Sequence, residues 1–300
     1  MSLPVTVCME RLLSAPMRAR RHTNLRSFVA RVEPTLLGRE AENNLPIGLL
    51  ADATPPLLVD VEDDTGEIVA VAIQTPPFNL VVTRAPKAAL DALVELLVAE
   101  RITLPGVIGV ADAARHVARS LASRHGLLSR VQRSMRIFEN RQLIVSRSPM
   151  DGGLARTALD ADLPLICSWT EAFWRDTRTG TLTPPELIEA RVRSGQFLLW
   201  ETDRPVSMAG VVARTPNGAR IGFVYTPDKL RGRGYASAVT AAVTEREHRA
   251  GRTCFLYTDR ANPTSNKIYQ AIGYTPVCDV EEWRFDLRAE RHYFLFSKGV

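Results

Sequence analysis

Apolar positions along the chain switch between two periods. Leu25, Phe28, Val29 and Val32 follow helical spacing until Pro34 interrupts them, so residues 25–50 read as helical. The period then shortens. Residues 57–61 and 68–73 are apolar runs separated by Glu62-Asp63-Asp64-Thr65-Gly66, which predicts a β-hairpin. Past Pro76-Pro77, Leu80-Val81-Val82 starts another strand, and Leu90, Leu93, Val94 and Leu97 restore a helical stripe. A short buried strand over 107–110, a helix over 112–125 closed by Gly126, and a strand over 131–138 complete this half.

The second half repeats the order. Residues 161–173 and 184–193 read as helices, and strands follow over 197–200, 206–213 and 221–225, with turns at Asp203-Arg204-Pro205 and Pro216-Asn217-Gly218. Tyr235, Ala238, Val239, Ala242 and Val243 form one apolar face of a long helix over 235–249. A strand over 255–257, a helix over 263–272 and a strand over 280–285 end the series. The repetition predicts a duplicated α/β unit. The polar stretch 146–153, with Pro149, Gly152 and Gly153, is the candidate linker.

Composition narrows the class. The 300 residues are 45% hydrophobic and 24% charged, which excludes a disordered or collagen-like chain. Lys plus Arg number 38 against 33 Asp plus Glu, a net charge of +5. That suits an anionic ligand and is too small to imply nucleic acid. Cys8, Cys167, Cys254 and Cys278 form no CxxC pair, and no His-x-x-x-His is present, so no zinc or other metal site is expected. No apolar run approaches the ~20 residues that span a bilayer. The cationic cluster Arg18, Arg20 and Arg21 follows apolar residues instead of preceding them, unlike a secretory signal. The expectation is a cytoplasmic protein in a reducing compartment, without a membrane partner.

The most informative segment runs from Val224-Tyr225-Thr226 through Lys229-Leu230-Arg231-Gly232-Arg233-Gly234 to Tyr235-Ala236. A strand ends, the chain turns through two glycines, and a helix begins. The first N–H groups of a helix lack partners, and the helix dipole adds positive potential there. Glycines let the backbone take φ > 0 and approach an anion closely. Phosphate oxygens suit such a turn. No Gly-Lys-Ser/Thr follows, so this is no nucleotide-hydrolase loop, and Ser237 replaces the third glycine of a dinucleotide fingerprint.

The turn resembles the acetyl-CoA loop of the GNAT superfamily of N-acetyltransferases, Gln/Arg-x-x-Gly-x-Gly/Ala, with Lys229 at its first position. A second block, Asn262-Pro263-Thr264-Ser265 through Tyr269 to Ile272-Gly273-Tyr274, is similar to the family's Asn-x-x-Ser/Ala-x-x-x-Tyr and Gly-Phe/Tyr pattern. The resemblance covers about residues 153–286. It implies two GNAT-like domains of α/β class, each a mostly antiparallel mixed sheet flanked by helices: a degenerate one over 1–147 and a catalytic one over 153–300. It also implies acetyl-CoA as cosubstrate and a small-molecule or protein amine as acceptor. A non-catalytic acyl-CoA-binding module on the same fold is the alternative.

The chemistry then sets requirements. A free alkylamine has a pKa near ~10.4, so a base must take its proton before attack. The carbonyl oxygen needs a donor, for which the backbone N–H groups of Val224, Tyr225 and Thr226 are candidates. The resemblance makes Tyr269 the general acid at the thiolate and Asn262 a contact to the pantetheine arm. Glu171, Glu201, Asp259 and Glu282 are candidate bases. Glu171 leads, because its neighbours Trp169, Phe173 and Trp174 suggest an apolar setting that would raise its pKa.

In the first half, Arg84-Ala85-Pro86-Lys87-Ala88 stands where the glycine turn would be, and Ala122 stands opposite Tyr269. That half is therefore expected to bind no coenzyme A. The isolated second half is expected to bind it unaided.

Overall fold

The computed structural model describes residues 17–52, 56–144, 149, 152–177 and 183–287. Cys8, most of the linker and the tail beyond 287 lie outside the described residues. The elements, in order, are β1 (Arg18–His22), α1 (Leu25–Leu37), α2 (Asn44–Asp52), β2 (Leu57–Glu62), β3 (Ile68–Gln74), β4 (Leu80–Val82), α3 (Lys87–Ala99), β5 (Gly106–Val110), α4 (Ala111–His125) and β6 (Leu127–Asn140). Then follow β7 (Leu154–Thr157), α5 (Leu163–Thr177), α6 (Pro185–Arg193), β8 (Phe197–Glu201), β9 (Pro205–Arg214), β10 (Gly218–Tyr225), α7 (Tyr235–Arg249), β11 (Thr253–Asp259), α8 (Pro263–Ala271) and β12 (Thr275–Leu287). The fold is α/β, as the periodicity indicates.

Two strands have no counterpart in the sequence reading. The charged edge strand β1 has no apolar alternation to reveal it. It is held by ion pairs of Arg18 and Arg20 with Glu62 and of Arg21 with Glu100. Strand β7 is short, and Leu154 on it is exposed.

All strands join one sheet in the order β1-β2-β3-β4-β5-β12-β6-β11-β10-β9-β8-β7. Each half forms an antiparallel meander that ends in a parallel pair, β4–β5 or β10–β11, joined by a crossover helix. The last strands are exchanged. Strand β6 pairs with β11, and β12 lies between β5 and β6. Each half therefore completes the other's sheet. This corrects the expectation of a self-sufficient second half: cut from residues 1–147, β11 would lose β6, and β12 would lose both neighbours.

Burial follows the two faces. In the second half, Ala209, Val211, Ile221, Val239, Val243 and Leu256 pack together under α7, and Tyr269 of α8 joins them. On the opposite face Ile166, Trp169, Phe197, Leu199, Met208 and Phe223 pack under α5 and α6. Alternate strand residues supply the two clusters, as period-two geometry requires.

Candidate acyl-coenzyme A site

Strands β10 and β11 pair only through Gly218–Ile221 and Thr253–Leu256. Beyond that register they separate, so the edge of β10 from Gly222 to Tyr225 faces a gap. A bulge accompanies the separation. Gly222 opposes Gly210 while Tyr225 opposes Met208, which leaves one extra residue in β10. Phe223 takes φ 51° there, a left-handed conformation costly for a residue with a bulky side chain. Its ring is fixed among Phe173, Trp174 and Phe197, at 5.8, 5.8 and 5.4 Å between centroids. The packing of α5 thus holds the backbone twist that frees the β10 edge. No sequence signal announces this bulge.

The glycine turn leads from β10 to α7. After a single 3₁₀ turn over Asp228–Leu230, Gly232 has φ 80° and Gly234 has φ 88°. Gly234 is the N-cap of α7 and supplies no side-chain cap, so the first N–H groups of a 15-residue helix face outward. A Cβ at Gly232 would meet nothing within 4 Å, so the space before the turn is open. These features fit a pyrophosphate. Lys229, Arg233 and the two glycines are exposed, and Ala236 is half-buried. The ring of Tyr235 is buried in the body, so its backbone is the part that belongs to the turn.

The side chains of Arg231, Thr226 and Asn262 also have partners within the protein. The Nε of Arg231 donates to the Thr226 carbonyl at 2.9 Å, and its Nη2 reaches Asp176 at 2.6 Å and Asp228 at 2.9 Å. Arg231 braces the turn against β10 and the end of α5, its charge met by two carboxylates. The Thr226 hydroxyl is 2.8 Å from that of Ser207, and Ser207 also donates to the Tyr225 carbonyl at 3.0 Å. Asn262 caps α8 by accepting from the Ser265 N–H at 3.1 Å, which commits its Oδ1 and the Ser265 amide. Ser207 and Asp176 were not evident in the sequence, because their roles exist only across strands and helices.

Val224 packs toward the α7 face, while the ring of Tyr225 lies 6.0 Å from Trp169 on the α5 face. Tyr269 is buried on α8, edge-on to Tyr274 at 6.0 Å. Burial raises its phenol pKa, so the hydroxyl stays protonated and able to donate. No described residue accepts that hydrogen bond.

The candidate bases separate clearly. Glu171 is exposed on α5, so the argument for an apolar setting fails. Glu201 is paired with Arg156, and Glu282 with Asn79 and Arg133 in the far part of the sheet. Asp259 ends β11 at the gap. Its Oδ1 accepts from the Ala261 N–H at 2.8 Å. Thr258, one residue earlier, donates to Asn266 of α8. Alternation therefore turns Asp259 away from α8, toward the uncovered side.

No group of His, Cys, Asp and Glu suited to a metal occurs among the described residues, and no helix there is long and apolar enough to cross a membrane.

Residues 199–284 match the family model described as FR47-like protein. No curated protein matches the sequence. Among solved structures, a GCN5-related N-acetyltransferase from Sphaerobacter thermophilus aligns over 91% of this chain and 97% of its own, with 21% identity and a TM-score of 0.61. One from Kribbella flavida aligns over 82% and 94%, with 17% identity and a TM-score of 0.54. A tandem GNAT protein from the clavulanic acid biosynthesis pathway aligns over 90% and 98%, with 12% identity and a TM-score of 0.53. The resemblance drawn from two sequence blocks therefore holds for the architecture: the chain has the fold of GNAT N-acetyltransferases, in a tandem arrangement.

Proposed function

We propose that the chain is an acetyl-CoA-dependent N-acetyltransferase with one coenzyme A site, in its second half. The observation that carries this reading is the separation of β10 from β11 beside an uncapped helix N-terminus entered through Gly232 and Gly234. The N–H groups at Gly232–Ala236 would hold the pyrophosphate, and the gap would hold the pantetheine arm. Bound acetyl-CoA supplies an activated acyl group.

The chain's residues do the rest. The unpaired β10 edge near Val224 offers an N–H to the carbonyl oxygen as negative charge develops there, in a position fixed before reaction. Tyr269 donates to the sulfur. Its raised pKa makes it a better hydrogen-bond donor than proton donor, because a thiol has a pKa near ~8.5. The α7 face is covered by α7 and α8, so the amine approaches from the α5 face. There Asp259, in place of Glu171, would take the amine proton. The first half would carry no coenzyme A.

Thiol release from acetyl-CoA across an amine panel tests the reading. Amine-dependent release is expected. Coenzyme A binding without release for any amine would favour a non-catalytic acyl-CoA-binding module.

A further inference from the structure

Helix α5 carries an inference about how the glycine turn is held, and it rests on the acetyl-transfer reading above. Trp169, Phe173 and Asp176 fall at i, i+4 and i+7, so they share one side of the helix. Each meets the end of β10 or the turn that follows it. The Trp169 ring lies 6.0 Å from that of Tyr225, and the Phe173 ring lies 5.8 Å from that of Phe223. Asp176 accepts from the Nη2 of Arg231 at 2.6 Å. A carboxylate thus continues an aromatic stripe, and its partner is on the turn.

The turn needs such a partner. It runs between buried Thr226 and buried Tyr235, and Asp228, Lys229 and residues 231–234 are exposed. Its two glycines take left-handed φ values and have the most conformational freedom to lose. The backbone bonds from Leu230 to Pro227 and from Arg231 to Asp228 close the turn on itself and do not tie it to the body. The Arg231 side chain does. Its Nε donates to the Thr226 carbonyl at 2.9 Å, its Nη2 donates to Asp176, and its guanidinium lies 5.9 Å from the centre of the Tyr225 ring. Tyr225 packs in turn on Trp169, so the turn, the end of β10 and α5 form one connected unit.

We infer that Asp176 is a positioning residue for the coenzyme A site. Through Arg231 it presets the glycine turn before the pyrophosphate arrives, so that less ordering is left for the ligand to do. The same link runs the other way, because coupling between two sites is reciprocal. Coenzyme A on the turn therefore steadies the last turn of α5, on the face from which the amine approaches. Binding of the cosubstrate prepares the acceptor side.

The test is calorimetric titration of the full chain with coenzyme A at fixed ionic strength. Charge alone predicts that Asp176→Asn binds more tightly, because a negative group near an anion site is lost. Positioning predicts the opposite sign. Asp176→Asn should bind coenzyme A more weakly by about 3- to 5-fold, the scale of a half-exposed ion pair. Arg231→Lys keeps the charge and loses the planar fork, so it should weaken binding similarly, and the double variant should be no weaker than either alone. Glu171→Gln, the same charge change elsewhere on α5, should bind as the wild type does. Hydrogen–deuterium exchange gives the second readout. Saturating coenzyme A should slow exchange in the last turn of α5 in the wild type and not in Asp176→Asn. Unchanged or tighter binding in Asp176→Asn, additive losses in the double variant, or equal slowing in both proteins overturns the inference. Failure of the wild-type chain to bind coenzyme A would instead overturn the acetyl-transfer reading.

Discussion

In the first half, β4 pairs with β5 along its whole length, Leu80–Val82 with Val107–Gly109. In the second, β10 parts from β11 after Ile221. The same parallel pair is closed in one half and open in the other. Gly109 allows the closure: a Cβ there would stand 2.2 Å from the Val82 carbonyl oxygen. Pro86 begins α3 where Gly234 begins α7, and Ala122 is buried on α4 where Tyr269 is buried on α8. The comparison teaches that the fold unit alone makes no site. Under the proposed function, a site forms where strand pairing ends and leaves backbone donors without partners.

The comparison can be broken most drastically by separating the halves. Because β6 and β12 are exchanged, residues 153–300 expressed alone should give no cooperative thermal transition. Co-expression with residues 1–152 should restore one. A stable, coenzyme A-binding fragment would mean that the exchange is dispensable.

Next in size are the two polar groups to which the proposed function gives chemical roles. Tyr269→Phe should lower kcat by about 10²-fold, and Asp259→Asn by at least as much, with acetyl-CoA affinity near wild type. Glu171→Gln should leave kcat unchanged. The Tyr269 hydroxyl has no protein partner among the described residues, so Tyr269→Phe should melt with the wild type. A Glu171 variant as impaired as Asp259→Asn would reassign the base.

A smaller effect tests the closed half. Gly109→Ala drives a methyl group against the Val82 carbonyl and should cost about 1–3 kcal/mol, read as a lower melting temperature. Coenzyme A affinity should not change.

The smallest effect concerns acid. Asp279 bonds Arg136 at 2.6 Å and joins the exchanged strands, and this hydrogen bond holds its pKa below the ordinary carboxylate value. A depressed folded pKa stabilises above the unfolded value, near ~4, and that stability is lost as pH falls through the folded value. Asp279→Asn should therefore shrink the drop in melting temperature between pH 5 and pH 2. An unchanged drop would show that the pair contributes nothing measurable.

Much of this was legible in the sequence, and what was not has physical reasons. The helix of Tyr235, Ala238 and Val239 announced itself by period, and the turn at Gly232 and Gly234 by composition. The capping of α8 by Asn262 was readable locally, because its partner Ser265 is three residues away. The exchange of β6 and β12 was not, since pairing between residues 143 positions apart, such as Arg136 and Asp279, leaves no local trace. The left-handed Phe223 was hidden for the same reason, as its stabilising rings come from α5 and β8. Glu171 is exposed although Trp169 is buried, because residues two apart on a helix do not share a side.

The central claim is that one open strand pair, entered through the glycine turn, makes one coenzyme A site per chain. Calorimetric titration of the full chain with coenzyme A, beside Gly234→Val, tests it most directly. Gly234 has φ 88°, which a β-branched residue adopts only under strain. The account predicts a stoichiometry of one for the wild type and binding weakened at least ~100-fold in a folded Gly234→Val. A stoichiometry of two, or unchanged affinity in Gly234→Val, would contradict it.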